Sequence, residues 1–222
     1  MQPITTTIQQ AVGKFGYRIS WLLDPNAPRI DVLSLLVTKY FKDKSPVLVQ
    51  IGANDGITFD PINSSITPQW RGVLVEPDPT AHKKLQQTYK NYPNLYLDNV
   101  AIAQKHGTLK LHLGQNSLWS STNQKVAGMN AATTETHDVT AEPLKSFLAR
   151  HNISNIDIFI VDAEGDDFQI VQQLFDLNLR PRIIQYEHIL MGKERCNLLW
   201  RRLEETGYAI ALTNIDTIAE LL

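Results

Sequence analysis

The stretch Val47-Leu48-Val49-Gln50-Ile51-Gly52-Ala53-Asn54-Asp55-Gly56 decides the fold of this chain. Its first half, residues 47–51, is a short and nearly continuous apolar run, which is typical of a strand buried on both faces of a parallel sheet. Its second half is rich in turn-forming residues and predicts a loop with a glycine at each end. In open α/β sheets, ligands bind beyond the carboxyl ends of such strands.

The rest of the chain continues the alternation of strands and helices. The next strand, 72–75, ends at Glu76-Pro77, and Asp78 with Pro79 predicts the start of a helix. Further strands are predicted at 99–103, 109–113, 156–161, 182–187 and 208–212, further helices at 143–151, 168–175 and 193–205, and a polar loop at 115–136. This order indicates the α/β class, with a mostly parallel, seven-stranded sheet and helices on both faces.

Length and composition fit a globular enzyme-sized chain. The 222 residues suggest one domain at 46–222, preceded by a helical N-terminal extension at 1–45. A net charge of -2 gives no support to a nucleic-acid partner. There is no signal-peptide pattern and no apolar run of about 18–20 residues, so we expect a cytoplasmic protein without a membrane partner. Cys196 is the one cysteine, which excludes an internal disulfide.

The loop after the first strand is a candidate binding loop, with Gly52, Asn54, Asp55 and Gly56 as its contacts. Glycines at both ends let the backbone approach a ligand closely. A dinucleotide-binding loop would have the spacing G-x-G-x-x-G and hold a pyrophosphate. Here the spacing is G-x-x-x-G, and Asp55 would repel a pyrophosphate but suits an amino group or a sulfonium. A tight turn without a ligand is the alternative interpretation.

A single acidic residue ends the second strand. A carboxylate at the position of Glu76 accepts hydrogen bonds from both hydroxyls of a ribose. Together with Pro77, it predicts a nucleoside site but does not identify the chemistry. Asn99, Val100 and Ala101 are expected near the base of that nucleoside, with plain strand packing as the alternative.

Four segments of the chain resemble the FkbM-type methyltransferases and follow one another in the order of that family. They are Val-Gln-Ile-Gly-Ala-Asn-Asp-Gly (49–56), Val-Glu-Pro-Asp-Pro (75–79), Asn-Val-Ala-Ile-Ala (99–103) and Ile-Val-Asp-Ala-Glu-Gly-Asp-Asp (160–167). The resemblance implies a Rossmann-like methyltransferase fold with S-adenosylmethionine as the methyl donor. It also implies O-methylation of a small-molecule acceptor, a sugar or another natural product. Family members commonly read Asp-Val-Glu-Gly-Ala-Glu at 162–167, so this chain keeps the first acidic pair.

Three residues are candidates for the catalytic step. Asp162 and Glu164 leave their strand at positions i and i+2 and therefore share one face. One carboxylate could take the proton of an acceptor hydroxyl, and the other could face the amino acid end of the methyl donor. Asp162 is also a candidate contact for the methyl donor. His188 follows the next strand and has a free pKa suited to a base. The alternatives are that Glu164 caps the following helix and that His188 is structural.

Several alternatives remain open from the sequence. A divalent metal held by Asp162 and Glu164, which would lower the pKa of the acceptor, is one alternative, but it is not favoured because two carboxylates are a thin ligand set. An N-methyltransferase, a nicotinamide-dependent oxidoreductase and a non-catalytic methyltransferase-like scaffold are the competing functions. The missing central glycine and Asp55 disfavour the oxidoreductase. The oligomeric state is open, with a homodimer as one outcome.

Overall fold

The computed structural model describes residues 31–113 and 135–222. The described α-helices are α1 (Val32–Phe41), α2 (Pro79–Thr88), α3 (Leu144–Arg150), α4 (Asp167–Asp176) and α5 (Lys193–Glu205), with a 3₁₀ turn at Asn63–Ser65. The described strands are β1 (Val47–Ile51), β2 (Arg71–Val75), β3 (Leu95–Asp98), β4 (Ala101–Ile102), β5 (Gly107–Leu113), β6 (Glu135–Glu142), β7 (Ile158–Val161), β8 (Ile183–Glu187), β9 (Tyr208–Leu212) and β10 (Asp216–Leu221). None of these helices is long and apolar enough to cross a membrane.

Seven of the strands form the main sheet, in the order β3-β2-β1-β7-β8-β10-β9. All neighbouring pairs are parallel except those of β10, which runs antiparallel to both β8 and β9. The predicted mostly parallel, seven-stranded sheet of a Rossmann-like fold is therefore confirmed. The chain order reverses between β1 and β7, and such a switch point opens a crevice at the carboxyl ends of the strands.

Helices cover both faces of this sheet. Alternate residues of each strand belong to one of two separate apolar clusters, as the period of two in a strand requires. On one face, Leu33 and Val37 of α1 and Leu85 of α2 pack on the strands. On the other face lie α3, α4 and α5. The helix α1 thus packs in the same compact unit as the sheet, Val32–Leu222, while the boundary at residues 45 and 46 remains a prediction.

The third strand of the main sheet lies earlier than predicted. It is Leu95–Asp98, which pairs with β2, whereas the strand predicted at 99–103 is wrong for this sheet. Asn99 ends the pairing because its side-chain amide donates to the carbonyl oxygens of Glu76 at 2.8 Å and Pro77 at 2.9 Å. The chain then turns into β4, which belongs to a second sheet.

A small sheet of order β4-β6-β5 stands beside the main one. The strand β6 was not predicted, and the loop predicted at 115–136 is wrong at residues 135 and 136, which already pair with β5. Residues 115–134 of that loop, like residues 1–30 of the predicted extension, lie outside the described residues. Arg150 ties the two sheets together because it forms ion pairs with Asp98, at the end of β3, and with Glu142, at the end of β6.

The last strand was also missed. The segment Asp216–Leu221 inserts between β8 and β9 as β10 and carries three polar residues among its six. Of its three apolar side chains, Ile218 and Ala219 are buried on opposite faces of the sheet. So few apolar residues give no periodic signal, and the strand exists because its backbone pairs on both edges.

Asp78→Ala should lower the free energy of unfolding by about 1–2 kcal/mol, because Asp78 is the N-cap of α2. Its carboxylate accepts from the backbone N–H of Thr80 at 2.7 Å and of Ala81 at 3.4 Å. Urea unfolding measures the change. In the matched control Glu204→Ala, on the exposed surface of α5, the change should stay within about 0.5 kcal/mol. An unchanged midpoint for Asp78→Ala would contradict the capping role.

Candidate active site

A cavity of about 360 Å³ opens at the carboxyl ends of β1, β2, β7 and β8, at the switch point of the sheet. The small sheet contributes Ile102 and Leu111 to its wall. The sequence-predicted residues that line it are Gly52, Asn54, Glu76, Pro77, Val100, Ala101, Asp162 and Glu164. The fold thus brings together eight predicted residues that are spread over more than a hundred positions of the chain.

The glycine at the start of the loop is required by strand packing. Gly52 has φ +81°, and a Cβ added there would lie 1.8 Å from the carbonyl oxygen of Asp162. No side chain larger than hydrogen fits at such a distance. The sequence argument attributed this glycine to close approach of a ligand; the structure gives it a nearer neighbour, the backbone that leaves β7.

Two other residues of the loop do not line the cavity. The carboxylate of Asp55 accepts from the backbone N–H of Ile57 at 2.9 Å and of Thr58 at 2.7 Å. Partial burial acts to raise the pKa of Asp55, but these hydrogen bonds lower it overall. Gly56 packs under α2, where a Cβ would lie 2.5 Å from the ring of Tyr89. Both residues therefore support the conformation of the loop without lining the cavity.

Asn99 and His188 also do not line the cavity. The side chain of Asn99 is directed at the backbone after β2, as described above. The Nδ1 atom of His188 lies 3.1 Å from the hydroxyl of Thr217, and its ring stands edge-on to Trp200. Burial lowers the pKa of His188. These contacts correspond to the structural alternative considered for this histidine.

Glu76 is held as a buried carboxylate. Its Oε2 accepts from the backbone N–H of Asn54 at 2.8 Å, and its Oε1 accepts from that of Asp78 at 2.8 Å. The residue is 6% exposed. Burial is the main cause that raises the pKa of Glu76 to about 7. Each oxygen keeps lone pairs beyond its backbone bond, so the carboxylate can accept two further donors.

Acidic side chains also gather at the end of β7. Burial is the largest cause that raises the pKa of Asp162 to about 6 and that of Glu164 to about 8, and neighbouring carboxylates add to both shifts. Glu164 has φ +48°, in the left-handed region. The N-cap position of α4 is Asp166, not Glu164, and no side chain caps the helix there. The carboxylate of Asp167 accepts from the backbone N–H of Gly165, in the turn before the helix, at 3.2 Å. Glu164 itself lines the cavity.

Two glutamines that the sequence analysis did not select lie in the cavity wall. Gln50 donates from Nε2 to Asp60 at 3.0 Å, and Gln185 is hydrogen-bonded to the carboxylate of Asp216. All four residues line the cavity. A signal for the glutamines did exist, because each interrupts an otherwise apolar buried strand, and a buried polar side chain needs a partner.

Seven acidic residues line the cavity, and no Lys, Arg or His does so among the described residues. They are Asp60, Glu76, Asp162, Glu164, Asp166, Glu187 and Asp216. Within 31–113 and 135–222, no group of three or more His, Cys, Asp and Glu side chains is placed to hold a metal ion. The lining therefore suits a ligand with hydrogen-bond donors and positive charge.

A family model, the methyltransferase FkbM domain, matches residues 50–210. This match spans most of the chain and includes β2, β7 and β8, three of the strands that end at the cavity.

The chain belongs to the FkbM methyltransferase family.

The predicted family, and with it the predicted class of S-adenosylmethionine-dependent methyltransferase, is confirmed. A search of curated proteins finds no match.

Three solved structures illustrate the similarity in fold. Fibrillarin from Aeropyrum pernix, bound to S-adenosyl-L-methionine, has 13% identity and a TM-score of 0.46, over 79% of this chain and 66% of that one. An O-methyltransferase from Bacillus cereus in complex with SAH has 11% identity and a TM-score of 0.46, over 99% and 92%. A Geobacter sulfurreducens methyltransferase has 12% identity and a TM-score of 0.47, over 100% and 89%. Likeness at this level carries no conclusion about the activity of this chain.

The stability of this FkbM methyltransferase should fall as the pH rises from about 5.5 to about 8. Burial raises the pKa of Asp162 to about 6, of Glu76 and Asp167 to about 7, and of Glu164 and Glu187 to about 8. In the unfolded chain these groups lose their protons near pH 4. The folded state therefore binds more protons across this window, and raising the pH favours unfolding.

Urea unfolding at a series of pH values measures this trend. His188, whose pKa burial lowers, acts in the opposite sense, but it is one group against five. The variant Glu164→Gln removes one of the five and should flatten the slope. A free energy of unfolding that stays level or rises from about pH 5.5 to about 8 would contradict the prediction.

Proposed function

We propose that this methyltransferase transfers the methyl group of S-adenosylmethionine to a hydroxyl of a small acceptor of the sugar or natural-product type. The observation that carries the proposal is the presence, in one cavity, of a nucleoside-type carboxylate, Glu76, and a carboxylate pair with separated pKa values, Asp162 and Glu164. The first group suits the donor, and the second suits removal of a proton from an acceptor.

The residues that line the cavity match the functional groups of S-adenosylmethionine. The two hydroxyls of a ribose would donate to the two oxygens of Glu76, which each hold one backbone N–H already. Gly52, Asn54 and Asp162 then lie toward the donor's amino acid end. Pro77, Val100 and Ala101 form the wall toward its adenine. The sulfonium of S-adenosylmethionine would place a positive charge in a cavity whose described lining residues include no Lys, Arg or His. Asp55 acts as a positioning residue for the loop.

The order of the strands gives an order to the site. Glu76 follows β2, Gly52 follows β1, Asp162 follows β7 and Glu187 ends β8, and these strands are neighbours in that order. Adjacent strands lie about 4.8 Å apart. A donor bound with its ribose over β2 and its sulfur over β1 would present its methyl group near β7, where Asp162 and Glu164 stand, and the acceptor would lie over β8.

The two carboxylates of this pair have different protonation states near pH 7. Asp162, with a pKa of about 6, is largely ionised, while Glu164, with a pKa of about 8, largely keeps its proton. A base works best with a pKa close to the operating pH. We therefore assign the removal of the acceptor proton to Asp162. Glu164 donates a hydrogen bond that orients the acceptor oxygen, and the methyl group supplied by the donor moves to that oxygen.

The proposal is tested by turnover. Purified protein is incubated with S-adenosylmethionine and a panel of sugars and polyhydroxylated natural products, and S-adenosylhomocysteine release and acceptor mass are measured. A mass increase of one methyl group on an oxygen supports the proposal. Methylation only of nitrogen, or tight binding of NAD in place of S-adenosylhomocysteine, would overturn it.

Glu76→Gln should weaken S-adenosylhomocysteine binding by about 10- to 100-fold, because one carboxylate oxygen becomes an amide that cannot accept from a ribose hydroxyl. Isothermal titration measures the affinity. The matched control is Asp55→Asn in the loop after β1, where the carboxylate accepts hydrogen bonds from the backbone and from Thr58, and its effect should be under about threefold. Equal losses in both variants would contradict the assigned ribose contact.

Asp162→Asn should lower kcat by about 10²- to 10⁴-fold, the usual contribution of a general base, and change donor affinity much less. His188→Ala, outside the cavity, should leave kcat within about fivefold once stability is matched. The comparison uses kcat with the best acceptor from the panel and titration with S-adenosylhomocysteine. A large loss of kcat in His188→Ala with full activity in Asp162→Asn would reverse the assignment.

A further inference from the structure

The acceptor half of the cavity contains an opposed pair of acidic residues. Glu187, at the end of β8, stands directly across from Asp216, at the start of β10, in an antiparallel register. Directly opposite residues of an antiparallel pair point to the same face, with Cβ atoms about 4.5–5.5 Å apart, and like charges there are destabilising. Both residues line the cavity.

The groups around this pair do not neutralise it. Burial is the largest cause that raises the pKa of Glu187 to about 8, followed by the charges of Asp162 and Glu164. Burial also raises the pKa of Asp216. The Oε2 atom of Glu187 is buried without a hydrogen-bond partner in the described part of the protein.

A buried glutamine beside the pair has an unused acceptor. Gln185 is 6% exposed, lines the cavity and is hydrogen-bonded to the Asp216 carboxylate. With its amide group committed to Asp216, its Oε1 atom has no hydrogen-bond partner among the described residues. An unpaired buried acceptor costs about 1–3 kcal/mol. Gln185 and Glu187 therefore each need a hydrogen-bond donor that the described residues do not supply.

The same arrangement occurs once more, on the donor side. Gln50 of β1 is bonded to Asp60, and its Oε1 is likewise buried without a partner. Gln50 pairs in register with Ile160 of β7, which pairs in register with Gln185 of β8. The two glutamines are thus two strands apart, about 10 Å. The donor's amino group can satisfy the first, which leaves the second for a group on the acceptor.

We propose that Glu187, Asp216 and Gln185 form a subsite for a protonated amine of the acceptor, so that the substrate is an amino sugar or another amine-bearing polyol and not an anion. An ammonium group placed between the two carboxyl groups favours the ionised form of both and donates to Gln185. Its three N–H bonds match three acceptors. This inference rests on the proposed O-methylation, since it describes the recognition group next to the hydroxyl that receives the methyl.

The test uses three sugars of similar size and different charge: glucosamine, glucose and glucuronate. Each is titrated into protein saturated with S-adenosylhomocysteine, and binding is followed by ligand-observed NMR. Glucosamine should bind about tenfold more tightly than glucose, as expected for a charge-assisted contact, and glucuronate should bind most weakly. Binding of glucosamine no tighter than glucose, including no binding of either, overturns the proposal.

Variants locate the preference. Glu187→Gln and Asp216→Asn keep the shape of the side chains and should each reduce the preference for glucosamine over glucose to about threefold or less. The matched control Glu204→Gln, exposed on α5, should keep it. A preference that persists in both subsite variants overturns the assignment to this pair. Failure of the proposed function is separately visible in the turnover panel, where the wild-type protein would then methylate no acceptor oxygen.

Discussion

The contact on which the site depends is the close approach of two backbones at the switch point of the sheet. The Cα atom of Gly52 faces the carbonyl of Asp162 so closely that no Cβ fits between them. The backbone N–H of Asp162 in turn donates to Ile51 at 2.9 Å, and that of Gly52 donates to Val75 at 2.9 Å. These bonds join the ends of β2, β1 and β7. They fix the distance between Glu76 and the pair Asp162 and Glu164, to which the proposed function assigns the ribose contact and the catalytic step.

Acidic side chains at the same edge of the sheet repel one another. Carboxylates from β2, β7, β8 and β10 face one cavity without a cation among the described lining residues. A protein tolerates such an arrangement because the rest of the fold supplies ample apolar burial on both faces of the sheet. Binding of a cationic ligand offsets part of this electrostatic repulsion, and this offset increases the affinity for such a ligand.

The sequence predicts the regular half of this structure well and the irregular half poorly. The strand at 47–51 and the helix at 193–205 have strong apolar patterns and lie where predicted. The strands β6 and β10 have mixed composition, and only tertiary pairing makes them strands. In the site, Glu76 and Asp162 were found because they end apolar strands. Gln185 and Asp216 were not, because their role arises from a register between strands distant in sequence.

The small sheet has a consequence for how this enzyme can change its substrate. Its residues Ala101, Leu111, Val139 and Ala141 form an apolar cluster of their own, separate from the two main clusters. Leu111 nevertheless contributes to the cavity wall. Mutations in β5 or β6 can thus reshape that wall without repacking the core that aligns the donor. Substitutions in this wall can therefore change which acceptor binds, while the residues at the ends of β1, β2 and β7 keep their positions.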